Sequence, residues 1–211
     1  MCIRDRVKHD LLGAATLHVA RQTFEFVAAC LGAGMAIGAS INASMQSLTD
    51  LAFCRELAAA VGQFGLDAGR ITIEITESEA MADPAQVIEN AARIRMLGFN
   101  LALDDLGTGC SSLSQLVRIP YSELKIERSF TGEVDRDSDQ QAFVHACAQL
   151  GSALGLDVVA GGVETLAQLD VVTRAGCTQA QGNLLARAMP APAALAWLRG
   201  RDGLRIALPP G

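Results

Sequence analysis

Aromatic residues are scarce in this chain, and basic residues are outnumbered. Phe, Trp and Tyr make up 4% of the 211 residues, so Ala, Val, Leu and Ile must fill most of a buried core. The 23 acidic residues exceed the 17 basic ones, for a net charge of −6. Surfaces that bind DNA or RNA polymers normally carry a basic patch. The composition therefore argues against a nucleic-acid polymer as partner, and an anionic ligand would need a bridging cation.

Other signals are missing as well. The six cysteines contain no CxxC pair and no secretory leader precedes them, so we expect a reduced, cytoplasmic protein. No apolar run reaches the ~18 residues of a membrane-spanning helix. The opening letters MCIRDR fit no targeting pattern. We expect residues 1–7 to be extraneous and residues 201–211 to be a C-terminal tail.

Between these ends, over residues 8–200, short apolar runs alternate with longer helical patterns. This alternation is typical of repeated βα units and of a parallel sheet in one domain. Strands are predicted at residues 35–42, 71–76, 100–104, 123–126, 156–160 and 177–181. Helices are predicted at roughly 8–33, 51–64, 84–97, 138–154, 165–175 and 191–199.

Residues 101–113 read LALDDLGTGCSSL, an apolar strand that ends in two adjacent carboxylates. Asp104 and Asp105 cannot be buried cheaply as bare charges, so they are either solvated or bound to a cation. Paired acids at a strand end suit a hard divalent ion. The alternative is that one of them caps the following turn. The segment alone leaves both readings open.

The alternation of side chains along the strands adds to this picture. In ITIEIT, the three isoleucines share one face and Glu74 lies on the other. A closed β/α barrel would bring the polar ends of its strands together at one point. Solvent-exposed residues that merely cap the turns would not explain such convergence. Lys125 could still be a surface lysine, and Gln181 could be a buried hydrogen-bonding group. The polar ends are Asn42, Glu74, Asp104, Lys125 and Gln181, one per strand.

Six blocks of sequence resemble the EAL domain family, whose members are phosphodiesterases that open cyclic di-GMP to linear pGpG. The resemblance implies a TIM-like (β/α) barrel, an α/β fold, with about six of its eight strands present in this chain. It also implies upstream signalling domains in the parent protein. The blocks are INAS at 41–44, EITES at 74–78, DDLGTGCSS at 104–112, LKIERSF at 124–130, GGVET at 161–165 and QGNLLARAMP at 181–190.

The same resemblance implies a two-metal site for Mg²⁺ or Mn²⁺, with cyclic di-GMP as ligand. Two cations would activate water and neutralise the charge that develops on the phosphodiester. Lys125 matches a residue that contacts the catalytic water or phosphate, and Gln181 matches a glutamine beside the cluster. Glu77 matches a residue that holds a loop which joins the metal site to a homodimer interface. The implied metal ligands are Asn42, Glu74, Asp104 and Asp105, and the implied loop residues are Gly107, Thr108, Gly109, Ser111 and Ser112.

Two departures from the family pattern bear on catalysis. Gly161 stands where the family has an acid that binds the second metal or acts on the water. Glu164 is a candidate replacement, but it belongs to the following turn and is not expected to reach the site. The glutamate of the EAL tripeptide would lie upstream of residue 1. The metal site is therefore expected to be incomplete.

Three functions remain open at this stage. The first is a cyclic di-GMP phosphodiesterase domain whose hydrolysis is impaired. The second is a catalytically inactive EAL module that binds cyclic di-GMP or a protein partner in signalling. A metal phosphohydrolase of another barrel family is a third reading, but it would have to imitate all six blocks.

Overall fold

A parallel β-sheet forms the centre of the structure. The computed structural model describes residues 11–108 and 113–200. In this part of the chain six parallel strands follow one another in chain order across one sheet. The strands are β1 (Ala39–Asn42), β2 (Ile71–Thr76), β3 (Asn100–Leu106), β4 (Glu123–Ile126), β5 (Asp157–Ala160) and β6 (Gln179–Ala180).

Helices connect the strands. They are α1 (Leu11–Gly32), α2 (Met45–Thr49), α3 (Leu51–Gln63), α4 (Glu77–Ala82), α5 (Pro84–Met96), α6 (Leu113–Arg118), α7 (Ser138–Leu154), α8 (Leu166–Ala175) and α9 (Ala191–Arg199). Sequential parallel strands with helical crossovers form an incomplete TIM-like barrel, which confirms the predicted fold. In the ranges that the structure describes, no helix has the length and hydropathy needed to cross a membrane. The predicted segments 1–7 and 201–211 lie outside those ranges.

Local sequence signals fix several helix ends. The Asp83 carboxylate accepts a hydrogen bond from the Gln86 N–H at the start of α5. Helix α8 begins with a capping box in which Thr165 and Gln168 each satisfy the other's backbone N–H. Helix α7 ends at Gly155, which has a positive φ of 69°.

The predicted strands differ from the observed ones at their ends. β1 begins at Ala39 because the first residue of β2, Ile71, pairs with Ala39, so the preceding residues have no partner in β2. β3 continues to Leu106 because that residue pairs with Ile126. Helices α2, α4 and α6 were not predicted, since five or six residues are too few to show a helical period.

The hydrophobic core lies between the sheet and the helices. Ile71, Ile73 and Ile75 are 0–1% exposed, as the alternation of β2 predicts. Glu74 points to the opposite face of the same strand. This arrangement leaves the polar side chains on the inner face of the half-barrel, where the candidate site lies.

Candidate active site

Three neighbouring strands bring charged side chains together on the inner face. In the register of the sheet, Asn42 pairs with Glu74, and Thr76 pairs with Asp104. Lys125 lies on the adjacent strand β4, which pairs with β3. Because these strands are parallel, their C-terminal ends meet at one edge of the sheet.

Lys125 binds two carboxylates at this edge. Its Nζ lies 2.8 Å from Oε1 of Glu74 and 3.1 Å from Oδ1 of Asp104. The side chains of Lys125 and Glu74 are only 10% and 7% exposed. Burial tends to lower the pKa of Lys125, but hydrogen bonds and charge from both carboxylates outweigh it and raise this pKa. The lysine is therefore a cation held between the buried Glu74 and the partly buried Asp104.

Asp105 is placed by an irregularity in β3. The pairing of β3 with β4 shifts between Leu103 and Leu106, and Asp105 adopts a left-handed backbone with φ 57°. Its N–H donates to Oδ1 of Asp104 at 3.0 Å. Such irregularities redirect side chains, so Asp105 does not simply continue the alternation of the strand.

The surroundings of Asp105 disfavour its charged form. Burial raises the pKa of Asp105, and the negative charges of Asp104 and Glu127 raise it further, while Lys125 acts in the opposite direction. The Glu127 carboxylate accepts a hydrogen bond from the Ser129 N–H at 2.6 Å, and the hydrogen bonds of Ser129 lower the pKa of Glu127. A bound cation would relieve the repulsion around Asp105.

The start of the loop after Asp105 is hydrogen-bonded to a buried acid, Glu77. The Gly107 N–H donates to Oε2 of Glu77 at 2.9 Å, and Glu77 is 1% exposed. The Thr108 hydroxyl donates to the Asp105 carbonyl at 3.0 Å. The role of Glu77 in holding the whole loop stays a prediction. The predicted loop residues Gly109, Ser111 and Ser112 lie outside the described residues.

Gly107 also packs against two aromatic rings. It has φ 109°, and an ideal Cβ there would lie 2.5 Å from Cε2 of Phe130 and 2.7 Å from Cζ of Phe143. These two rings stack with centroids 4.1 Å apart. Only glycine suits this position, because both the backbone conformation and the space exclude a side chain.

Gly161 lies beyond β5, close to the end of β4. Its N–H donates to the Ile126 carbonyl at 3.1 Å, and its own carbonyl accepts a hydrogen bond from the buried Thr131 hydroxyl. An ideal Cβ at Gly161 would lie 2.7 Å from the Ile126 oxygen. An acid at this position therefore requires a local shift of the backbone. Thr131 carries no sequence signal that would have identified this role.

The remaining predicted residues lie around the edge of the site. Asn42 and Gln181 are exposed, and the Gln181 N–H donates to the Ala160 carbonyl at 2.9 Å. Glu164 is exposed in the turn before α8, and its Oε1 lies 3.4 Å from Nδ2 of Asn183. The role of Glu164 at the site stays a prediction.

Glu74 and Asp104, which meet at Lys125, are the carboxylates most available to a cation. Over residues 11–108 and 113–200, no three acidic, histidine or cysteine side chains are close enough together to hold a metal ion. Glu74 and Asp104 nevertheless converge on one positive centre, and carboxylate oxygens suit Mg²⁺ or Mn²⁺. The pair fits one cation whose other ligands are water or ligand oxygens. A second cation would depend on Asp105, because Gly161 offers no carboxylate.

Comparisons with known proteins identify relatives of this chain. A model of the EAL domain family matches residues 5–188. The bifunctional diguanylate cyclase/cyclic di-GMP phosphodiesterase MucR of Pseudomonas aeruginosa is 46% identical over 131 residues, which are 62% of this chain. The chain spans 19% of the length of that relative.

Solved structures agree with the sequence matches. The PaMucR phosphodiesterase in complex with c-di-GMP superposes with a TM-score of 0.85 at 35% identity, over 91% of this chain and 78% of its own. BlrP1 of Klebsiella pneumoniae, solved with manganese and cy-diGMP, gives a TM-score of 0.76 at 26% identity, over 87% of this chain and 45% of its own.

The charge on Asp105 should destabilise the metal-free protein at neutral pH. A carboxyl whose pKa is raised by folding stabilises the native state below the unfolded pKa of about 3.9 and loses that stability as pH rises through the folded pKa. We therefore expect Asp105→Asn to raise the Tm at pH 7 in chelator, to raise it less near pH 4, and to weaken the response to Mg²⁺. Asparagine also tolerates the left-handed backbone. Thermal unfolding measures all three effects.

Asp104→Asn is the matched control for this variant. It weakens a carboxylate that accepts from Lys125 and from the Asp105 N–H, so the Tm should fall in the same buffer. A sharp fall in Tm for Asp105→Asn at pH 7 in chelator would identify Asp105 as a structural cap instead.

The aromatic contact at Gly107 can be measured separately from its backbone strain. Gly65 has φ 65° and nothing within 4 Å of an ideal Cβ, so Gly65→Ala reports the left-handed conformation alone. We expect that control to cost about 1–2 kcal/mol in the free energy of unfolding. Gly107→Ala should cost about 1–3 kcal/mol more, because it must displace Phe130 and Phe143. Urea denaturation gives both values, and equal losses would show that the rings move aside freely.

Proposed function

Because this chain belongs to the EAL domain family, we propose that it binds cyclic di-GMP through a divalent cation at the edge formed by β2, β3 and β4. It is a domain of the cyclic di-GMP phosphodiesterase type whose hydrolytic step is impaired at Gly161. One observation carries the proposal, namely that Glu74 and Asp104 meet at the ammonium of Lys125. MucR and the PaMucR complex support the choice of ligand.

The chemistry of the ligand matches the charges of the site. A cyclic dinucleotide carries two phosphodiester groups, and an acidic protein with a net charge of −6 needs a cation to bind them. When bound, Mg²⁺ or Mn²⁺ would polarise the phosphoryl group and activate water. Glu74, Asp104 and the exposed amide of Asn42 would hold the cation.

Besides the bound cation, the side chain of Lys125 supplies positive charge to the site. Its raised pKa keeps it protonated at neutral pH, so Nζ can donate to a phosphoryl oxygen of the ligand. Glu74 and Asp104 hold the flexible lysine side chain at this point. Gln181 lies at the exposed rim, where its amide could donate to the ligand.

In this proposal, binding and hydrolysis depend on different groups: Asp105 is present, and an acid at position 161 is not. In a two-metal mechanism the second cation would help to activate water. Asp105 is the acid available for that cation, and a glycine offers no oxygen from its side chain. We therefore propose that cation and ligand binding persist while turnover is slow.

A second candidate function is a binding module that does not hydrolyse its ligand. Gly161 favours it, since an ideal Cβ there would lie 2.7 Å from the Ile126 oxygen and the local backbone suits a glycine. In that case the bound state itself is the signal, carried to a protein partner or to a second copy of the chain. The homodimer, the cytoplasmic location and the fusion to upstream signalling domains belong to this proposal as well.

Binding should depend on both the cation and Glu74. We expect calorimetric titration to detect cyclic di-GMP binding in Mg²⁺ or Mn²⁺ and to lose it in chelator. Glu74→Gln should weaken binding by about tenfold or more, since ligating carboxylates are rarely replaceable. Glu89→Gln is the control, because that carboxylate is 74% exposed and pairs with Arg93 on the surface of α5. Tight binding that survives the chelator contradicts the proposal.

Gly161→Glu tests the cause of the impairment. Gly161→Gln is its control, because both variants impose the same contact of Cβ with the Ile126 oxygen and only glutamate adds a ligand for a cation. We expect both to lower the Tm alike. Only Gly161→Glu should raise the formation of pGpG, by about tenfold or more over the parent chain.

The product can be followed by chromatography, first in Mg²⁺ and then in Mn²⁺. Robust turnover by the parent chain would show that another group, such as Glu127 or Glu164, supplies the missing oxygen. Equal rates for both variants would place the defect elsewhere in the site.

A further inference from the structure

Gln168 is a buried polar side chain that links the turn after β5 to the turn after β4. It lies in the first turn of α8 and is 6% exposed. Its Oε1 accepts the Glu164 N–H at 2.7 Å and the Thr165 N–H at 3.0 Å, and its Nε2 donates to the Gly132 carbonyl at 2.6 Å. A capping box needs only the oxygen of this amide, so the start of α8 does not require the bond to Gly132.

The turn after β4, residues 127–132, is held to the turn after β5 by a second bond as well. The Gly132 N–H donates to the Arg128 carbonyl at 2.9 Å, so both the N–H and the carbonyl of Gly132 are hydrogen-bonded. The Thr131 hydroxyl donates to the Gly161 carbonyl, and Thr131 is 0% exposed. Two buried side chains therefore tie the two turns together.

The turn after β5, residues 161–165, fixes the backbone of Gln181. The Val163 N–H donates to the Gln181 carbonyl at 2.9 Å, and the Gln181 N–H donates to the Ala160 carbonyl at 2.9 Å. An ideal Cβ at Gly182 would overlap the Val163 backbone, so the two segments lie in direct contact. The exposed side chain of Gln181 is therefore attached to a backbone whose position depends on the turn after β5.

We propose that Gln168 is a positioning residue for the binding of cyclic di-GMP. Lys125 is carried by β4, so a bond between the two turns holds the Gln181 amide at a fixed place relative to the Lys125 ammonium. Donors that are held in place before the ligand arrives need less ordering when it binds. Gln168 acts through Gln181 and touches neither the cation nor the ligand. This inference rests on the proposed function, in which Gln181 donates to the ligand.

Gln168→Glu breaks the bond to Gly132 and keeps the capping box. Glutamate offers the oxygen that the capping box needs, but its carboxylate has no N–H to donate to the Gly132 carbonyl. We expect the affinity for cyclic di-GMP in Mg²⁺, measured by calorimetry, to fall about tenfold because the Gln181 amide is no longer held in place. The affinity for Mg²⁺ alone should change by less than about twofold, because Glu74 and Asp104 lie on other strands.

Thr165→Ala is the matched control. It removes the hydroxyl that accepts the Gln168 N–H at 3.1 Å, and it leaves the bond from Gln168 to Gly132 intact. Loss of this cap should lower the Tm by about 2–4 °C and change neither affinity. If Gln168 were merely structural, Gln168→Glu would give this same pattern.

Repeating Gln168→Glu on a Gln181→Ala background shows whether the effect passes through Gln181. The loss of affinity for cyclic di-GMP should then shrink to about twofold or less. An equal loss on both backgrounds overturns the inference.

Thr131→Val breaks the other bond between the two turns and keeps a side chain of similar shape. It should weaken the binding of cyclic di-GMP by about threefold or more and leave the affinity for Mg²⁺ alone unchanged. If Gln168→Glu does not fold, this variant decides the matter, and binding as tight as that of the parent chain overturns the inference.

The failure of this inference can be told apart from that of the proposed function. If the parent chain binds cyclic di-GMP in Mg²⁺ and Gln168→Glu binds it equally well, the inference is wrong and the proposed function stands. If Gln181→Ala alone binds as tightly as the parent chain, the inference is wrong and the cation site stands. If the parent chain binds no cyclic di-GMP in Mg²⁺ or Mn²⁺, both are wrong.

Discussion

The ion pairs of Lys125 with Glu74 and Asp104 are the constraint on which the site depends. The buried Lys125 and Glu74 and the partly buried Asp104 are costly to desolvate, so each is tolerable only while the others stay in place. The three residues come from three strands, and their meeting therefore fixes the register of β2, β3 and β4 at their C-terminal ends. The same cluster leaves a net negative charge in which a divalent cation is favourable.

A second constraint begins one residue further along β3. Asp105 departs from the regular strand with φ 57°, and Gly107 follows with φ 109°. Glu77 accepts the Gly107 N–H, and the stacked rings of Phe130 and Phe143 occupy the space that a side chain at Gly107 would need. Asp105 lies between these contacts of Gly107 and the ion-pair cluster, so its backbone is restrained from both directions along the chain.

The sequence predicted those features of the site that follow from the alternation of side chains along a strand and from the parallel direction of the strands. The alternation of ITIEIT placed Glu74 opposite the buried isoleucines, and parallel strands required the polar ends to share one edge. Contacts between strands could not be predicted, because the double pairing of Lys125 depends on register and on the irregularity in β3. The left-handed backbone of Asp105 leaves no periodic signal in the sequence either.

The backbone at Gly161, where the family resemblance predicts an acid, is held by its own hydrogen bonds. Its N–H and carbonyl are both hydrogen-bonded, to Ile126 and to the buried Thr131, and these bonds hold the peptide against the end of β4. The space that a Cβ needs is filled by the Ile126 oxygen. The backbone at this position therefore suits glycine. Glu74, Asp104 and Lys125, by contrast, form both of their ion pairs. In the proposed function, binding depends on those ion pairs and hydrolysis on an acid at position 161, so loss of turnover and loss of ligand recognition are separate changes.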